Sequence, residues 1–289
     1  MQCTRCAQDV RTRCVCGSHT ASSRTRRVLA LTLFLFFAVL ADAEHLVFPA
    51  TPEDAIVDED IAFCSTLAMQ ARPEPPTGGW DGPLKGAPDG LMVWGKLDKI
   101  SENQAPAPKF FVVGDIKDVT VEATIATVEG TNFTDRRQWD PSCLVLETLK
   151  KDGRDDVVVW KSDFPWPLSD RDFVYRRRIE RDDTGGAVSV SKAIQASGDW
   201  VPVDPKVVRV NEYVQYVSVR QLEEGNGVRF AMLYRNNMEF SPSPPPWVIS
   251  WFTSTGLPRY LNQLVAAAKI SSKQSLQASV EVAAVPPEL

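Results

Sequence analysis

Residues 160–178, W-K-S-D-F-P-W-P-L-S-D-R-D-F-V-Y-R-R-R, constrain the fold of this chain more than any other stretch. The segment starts at the end of an apolar run, crosses Pro165 and Pro167, and resumes as an alternating run from Phe173. Two prolines so close together remove backbone donors and exclude a helix through the segment. What remains is a strand on each side of a stiff turn, which predicts antiparallel pairing. Trp160, Trp166, Phe173 and Tyr175 collect here beside Asp and Arg, a dense mixture of large apolar and charged groups for one connection.

The rest of the chain extends this pattern. Thr51-Pro52-Glu53-Asp54 offers a cap and first-turn acids for a helix over Pro49–Ala71, with Ile56, Phe63, Leu67 and Ala68 as its apolar stripe. A Pro/Gly loop, Pro73–Pro88, ends it. Strands are expected at Leu91–Leu97 and Lys109–Gly114, then a helix over Asp115–Glu129 and a polar connector, Thr131–Pro141. Further strands are expected at Cys143–Thr148, Val157–Ser162, Phe173–Arg181, Ala187–Ala196, Val207–Val219 and Val228–Phe240. In the last of these Val228, Phe230, Met232, Tyr234, Met238 and Phe240 share one face. After the breaker Ser241–Pro246, apolar pairs at i,i+4 predict a long helix, Trp247–Ile270, bent at Gly256-Leu257-Pro258, with a flexible tail over 272–289. Helix, strands, helical insert, strands and a final apolar helix make an α+β chain: a curved antiparallel sheet closed by its last helix.

Composition excludes several function classes. The 289 residues suffice for one large domain with a real core. A net charge of −5, with no basic run in the folded part, argues against nucleic acid as a partner. The two histidines, His19 and His45, precede the folded region, so no Ser–His or Cys–His pair can be assembled within it. No Walker or dinucleotide-binding glycine loop is present, so no nucleotide cofactor is expected. A carboxylate-only hydrolase built on Asp163 and Asp170 is the residual enzymatic alternative. Cys3, Cys6, Cys14 and Cys16 have spacings unlike common zinc sites, and no metal is expected. Cys64 and Cys143 are left either to pair or to sit free.

The first 43 residues read as a leader. Arg24, Arg26 and Arg27 precede fourteen uncharged residues, Val28–Ala41, and a small-x-small site, Ala41-Asp42-Ala43. That order is that of a secretory signal peptide or a lumenal signal anchor. The run is short for a bilayer of ~30 Å. The arginine-rich, acid-poor composition also suits a mitochondrial or plastid presequence.

Three motifs, in order, are shared with a known family. Arg136-Arg137-Gln138-Trp139-Asp140 matches R-x-Q-W-D. Phe164–Tyr175 matches P-x-P-[ML]-S-[ND]-R-D-[FY]-V-Y, and Trp247–Leu264 matches W-L-I-N-W…G-x-P-x-[FY]-L. The chain resembles the START (steroidogenic-acute-regulatory-related lipid transfer) family over 48–271, and within it the phosphatidylcholine transfer protein subgroup. The resemblance implies a helix-grip fold with a hydrophobic tunnel, and a monomer that binds lipid and moves it between membranes through transient contact. It implies a phospholipid ligand first, with sterol or ceramide as alternatives, and no enzymatic activity. A lipid-sensing or protein-binding module without transfer is the competing function. By motif, Trp160, Phe173 and Tyr213 fall on the aromatic cage for choline, and Arg136 falls on the phosphate-binding position. The chemistry fits: aromatic faces attract a quaternary ammonium, and a guanidinium fork holds a phosphate. Phe173 lacks the family hydroxyl, and Ser241–Pro246 replaces a Gly-rich turn. Asn132-Phe133-Thr134 is a glycosylation sequon beside Arg136. Arg171 and Asp172 are expected to form a structural ion pair, and Trp200 to pack or touch a membrane.

Overall fold

A computed structural model describes residues 49, 54–69, 76, 78–98, 107–194, 200–237, 239–240 and 245–284, all within the unit His45–Leu289. The leader, its four cysteines, the proposed Thr51-Pro52 cap and Met238 lie outside these residues. The elements run α1 (Asp58–Leu67), β1 (Leu91–Asp98), β2 (Ala107–Lys117), α2 (Val121–Glu129), α3 (Phe133–Trp139), β3 (Cys143–Asp152) and β4 (Asp155–Ser162). There follow β5 (Arg171–Arg181), β6 (Ala187–Ala193), β7 (Val208–Val210), β8 (Tyr213–Gln221) and β9 (Gly227–Asn236). The chain closes with α4 (Pro246–Trp251), a π-helical turn (Phe252–Gly256) and α5 (Leu257–Ala284).

The strands form one sheet ordered β1-β2-β9-β8-β6-β5-β4-β3, antiparallel throughout, with β7 pairing parallel to β5 at one point. As the proline turn requires, β4 and β5 pair directly, Trp160 opposite Phe173. Register shifts in β3 add twist at that edge. Both faces of the central strands are covered, so alternate residues serve different cores. Phe110 and Val112 of β2 pack with Leu257, Leu261, Leu264 and Ala268 of α5 and with Val121 and Ile125 of α2. Phe111 and Val113 pack with Cys64 and Leu67 of α1 and with Ala68, its C-cap. Leu261 and Leu264 are fully buried, and each contributes about 1.5–3 kcal/mol of hydrophobic stabilisation. The α+β helix-grip architecture expected from sequence is the observed one. Among the described residues no helix is long and apolar enough to cross a membrane.

Several expected boundaries shift, each for a local reason. The first helix starts only at Asp58, where the Asp60 carboxylate accepts from the Val57 backbone N–H at 2.9 Å. Asp115–Lys117 extends β2 instead of opening a helix, because β9 pairs with it through Asp115–Arg229. Thr120 then caps α2 by accepting from Ala123 N–H. The connector Thr131–Pro141 contains α3, capped by the Asn132 side chain. Val207–Val219 divides into β7 and β8, so seven strands follow the helical insert. β9 stops at Asn236, before Phe240. The final helix continues past Ile270 to Ala284; Ser272 is buried and accepts from the Thr120 N–H at 3.0 Å, which ties its far end to α2. Asp172 pairs with Arg209, at 2.8 Å on two nitrogens. Arg171 instead lies between the rings of Phe164 and Phe240. Trp200 is half-buried against Val157, Val159 and Val174, the packing alternative. Cys64 and Cys143 are free, buried thiols in separate clusters.

Candidate functional site

The inner ends of β4, β5, β8 and β9 bring an aromatic wall to one place. The side-chain period of two puts Phe173 and Tyr175 on one face of β5, and Tyr213 and Gln215 on one face of β8. Trp160 stacks on Phe173 with centroids 4.7 Å apart. Tyr213 meets Phe173 and Tyr175 edge-on, each at 5.4 Å, and Tyr234 at 5.8 Å. β6 lies between β5 and β8, and its small Ala193 lets the Tyr213 ring reach across. These rings line a cavity of about 440 Å³, closed on the far side by Val128 and Glu129 of α2, Arg136 of α3, and Trp251, Phe252, Leu257 and Tyr260 of the closing helices. The buried indole N–H of Trp160 donates to no oxygen or nitrogen acceptor.

Arg136 is the cationic group of this wall. Its Nε donates to Asp140 at 3.0 Å, one terminal nitrogen to the Val128 carbonyl at 3.1 Å, and the other reaches the Tyr260 hydroxyl at 3.5 Å. The guanidinium lies 4.3 Å from the Trp139 ring centroid and 5.9 Å from that of Trp160. Burial opposes its charge, but Tyr260 and Asp140 outweigh that and raise its pKa. Arg136 is therefore a permanent buried cation whose weakest bond is the one to Tyr260, the bond a phosphate oxygen can take over.

The four residues singled out in the sequence, Arg136, Trp160, Phe173 and Tyr213, all line this one cavity. Five other lining groups matter: Glu129, Tyr175, Gln215, Tyr234 and Tyr260. Tyr175 and Gln215 lie two residues after Phe173 and Tyr213, so strand alternation alone points to them. Glu129, Tyr234 and Tyr260 carry no such signal, since their elements meet the wall only through sheet order and helix packing. Burial holds the hydroxyls of Tyr175, Tyr213 and Tyr234 protonated. The wall is thus aromatic and polar at the Arg136 end.

The sequence profile of the START domain matches residues 117–273. The mouse "StAR-related lipid transfer protein 7, mitochondrial" is 28% identical over 186 residues, 63% of this chain and 48% of that protein. The bovine "Phosphatidylcholine transfer protein" is 35% identical over 134 residues, 46% of this chain and 61% of that protein. The chain spans about half the length of the curated StAR-related relatives it matches. The crystal structure of human STARD10 superposes with a TM-score of 0.59 at 16% identity, covering 81% of this chain and 88% of that one. Human StAR-related lipid transfer protein 5 gives a TM-score of 0.53 at 18% identity, over 68% of this chain and 88% of that one.

Proposed function

Because the chain belongs to the START domain family, whose members are lipid-binding and lipid-transfer proteins rather than enzymes, we propose that it binds a glycerophospholipid, phosphatidylcholine first, and carries it between membranes as a monomer. The observation that carries this reading is the meeting of three aromatic faces and one buried arginine on a single cavity wall. Trp160, Phe173 and Tyr213 offer ring faces to a quaternary ammonium, at roughly 0.5–2 kcal/mol each. Arg136 offers a charged fork to the phosphate. Phe173 keeps the ring face of a cage tyrosine without its hydroxyl, which costs little toward a group that accepts no hydrogen bond. The name of the bovine relative, a phosphatidylcholine transfer protein, supports the same ligand.

Entry of two acyl chains and a headgroup requires the cover of the cavity to yield, and α4 and the π-helical turn form part of that cover. The π-helical turn sits at the lip, where its Phe252 and Gly256 line the cavity, and such turns interrupt the regular helical ladder.

Native mass spectrometry of the full chain tests the ligand: one phosphatidylcholine per protein supports the reading, whereas sterol or ceramide alone, or no lipid, sinks it. Lipid bound without vesicle-to-vesicle exchange would make the chain a sensor. Membrane contact is read from the turn between β4 and β5. There Trp166 is 91% exposed, and its neighbour Phe164 lines the cavity and lies 6.5 Å from Trp251. Trp166→Ala is expected to slow exchange roughly tenfold, the loss of one large apolar anchor, with lipid load unchanged; an unaltered exchange rate removes this turn from the docking face. Residues 1–43 are read as a leader for secretory entry. N-terminal sequencing of the cellular protein with fractionation tests it, and the mitochondrial address in the mouse relative's name is the competing result.

A further inference from the structure

Glu129 breaks a local rule. It is the last residue of α2, where the helix dipole disfavours an anion, and only 4% of its side chain is exposed. Burial pushes its carboxyl above the usual carboxylate range, and Arg177 pulls against that. The other buried charges of this wall have close partners. Arg136 pairs with Asp140 at 3.0 Å, and Arg177 pairs with Asp156 at 2.8 Å. Glu129 has no ion pair that short: Arg177 lies at 3.9 Å, the Gln215 amide donates at 3.2 Å, and Ser189 and Arg136 also favour its charge. It also lines the same cavity as Arg136, Tyr175 and Tyr213. An acid held above its usual range by burial, with its paired arginine at 3.9 Å and a second cation that suits a phosphate on the same wall, is a group that an incoming ammonium can ionise.

We infer that Glu129 selects the headgroup: its carboxylate faces the ammonium of a zwitterionic phospholipid while Arg136 faces the phosphate. This rests on the proposed reading that the cavity takes a phospholipid headgroup. The two residues make the wall dipolar, matching the two charges of such a headgroup. A headgroup with phosphate alone brings no cation to offset the cost of ionising Glu129. A primary ammonium gains most, since its N–H groups donate directly to the carboxylate. A trimethylammonium gains only Coulomb attraction and relies on the aromatic faces. A purely structural Glu129, fastening α2 to Arg177 of β5 and Gln215 of β8, would not discriminate among headgroups.

The test is exchange between vesicles by the full chain, with labelled phosphatidylethanolamine, phosphatidylcholine or phosphatidic acid as probe. Wild type is expected to favour both zwitterionic lipids over phosphatidic acid. In Glu129→Gln the ratio of phosphatidylethanolamine to phosphatidic acid exchange is expected to fall about tenfold, the scale of one charged hydrogen bond, and the phosphatidylcholine ratio by less. Glu129→Asp, which keeps the charge, is expected to retain the preference. Ratios in Glu129→Gln within about twofold of wild type, or equal loss of all three lipids, overturn the inference. Native mass spectrometry of wild type equilibrated with the lipid mixture needs no variant: equal occupancy by phosphatidylethanolamine and phosphatidic acid overturns it as well. A wild type that carries no phospholipid overturns the proposed function itself, whereas one that carries phospholipid without regard to the ammonium overturns only this inference.

Discussion

Arg136→Lys is expected to lower phospholipid exchange about 100-fold in a protein that still folds, because a lysine keeps the charge and loses the fork. The guanidinium simultaneously holds Asp140, the Val128 carbonyl and the Tyr260 hydroxyl, and it lies over the Trp139 ring. A single ammonium cannot reproduce that geometry and still face a phosphate. It can keep Asp140 paired, which preserves the α3 turn. Arg136→Ala is a different experiment. It strands the buried Asp140 carboxylate, and removing one partner of a buried ion pair costs about 3–5 kcal/mol. Loss of exchange in the alanine variant would therefore mix folding with function. The lysine variant separates them when exchange is read beside a thermal melt. Wild-type exchange by a folded Arg136→Lys protein would remove Arg136 from the phosphate site.

The largest effect on stability is expected far from the cavity, at Asp60 on α1. Its side chain is fully buried and accepts from Lys192 Nζ at 2.8 Å, from the Tyr216 hydroxyl at 2.8 Å and from the Val57 N–H at 2.9 Å. Asp60→Ala leaves the Lys192 cation, itself 4% exposed, without its carboxylate. It also removes the cap of α1. A loss of about 3–5 kcal/mol is expected, a large part of the roughly 5–15 kcal/mol that holds a typical domain folded. Denaturant unfolding measures it. Replacing both charges by apolar residues, Asp60→Leu with Lys192→Met, is expected to recover the part of the loss that comes from the stranded cation, while the Tyr216 hydroxyl and Val57 N–H still lack their acceptor. A loss below about 1 kcal/mol in Asp60→Ala would show that α1 docks through its apolar contacts alone.

These two residues also show how far the sequence could be read. Arg136 stands in a motif and was legible. Asp60 passes for a surface acid among the first-turn acids Asp58 and Glu59, because nothing local shows that Lys192, far along the chain, will meet it. The strands were legible for the same reason as the proline turn: alternation is a local property. Their ends were not, since Asp115–Lys117 became strand only through pairing with β9. α3 was missed because its short, polar stretch has no apolar stripe, and its Asn132 cap was hidden inside a sequon. The docking of α5 on α2 through Ser272 and Thr120 is a contact that no periodicity predicts.

The chain by itself determined the class of fold, the family and four residues of the candidate site, since motifs, alternation and proline placement are written in neighbouring residues. Tertiary structure alone decided that those four share one cavity, and that Tyr234 and Tyr260 join them. It alone brought an acid, Glu129, into the cavity that Arg136 lines. The physical reason is that a cavity is made by strands brought together through non-local pairing and by a helix packed across them. The burial that changes the chemistry of Glu129 and Arg136 exists only once those distant segments meet.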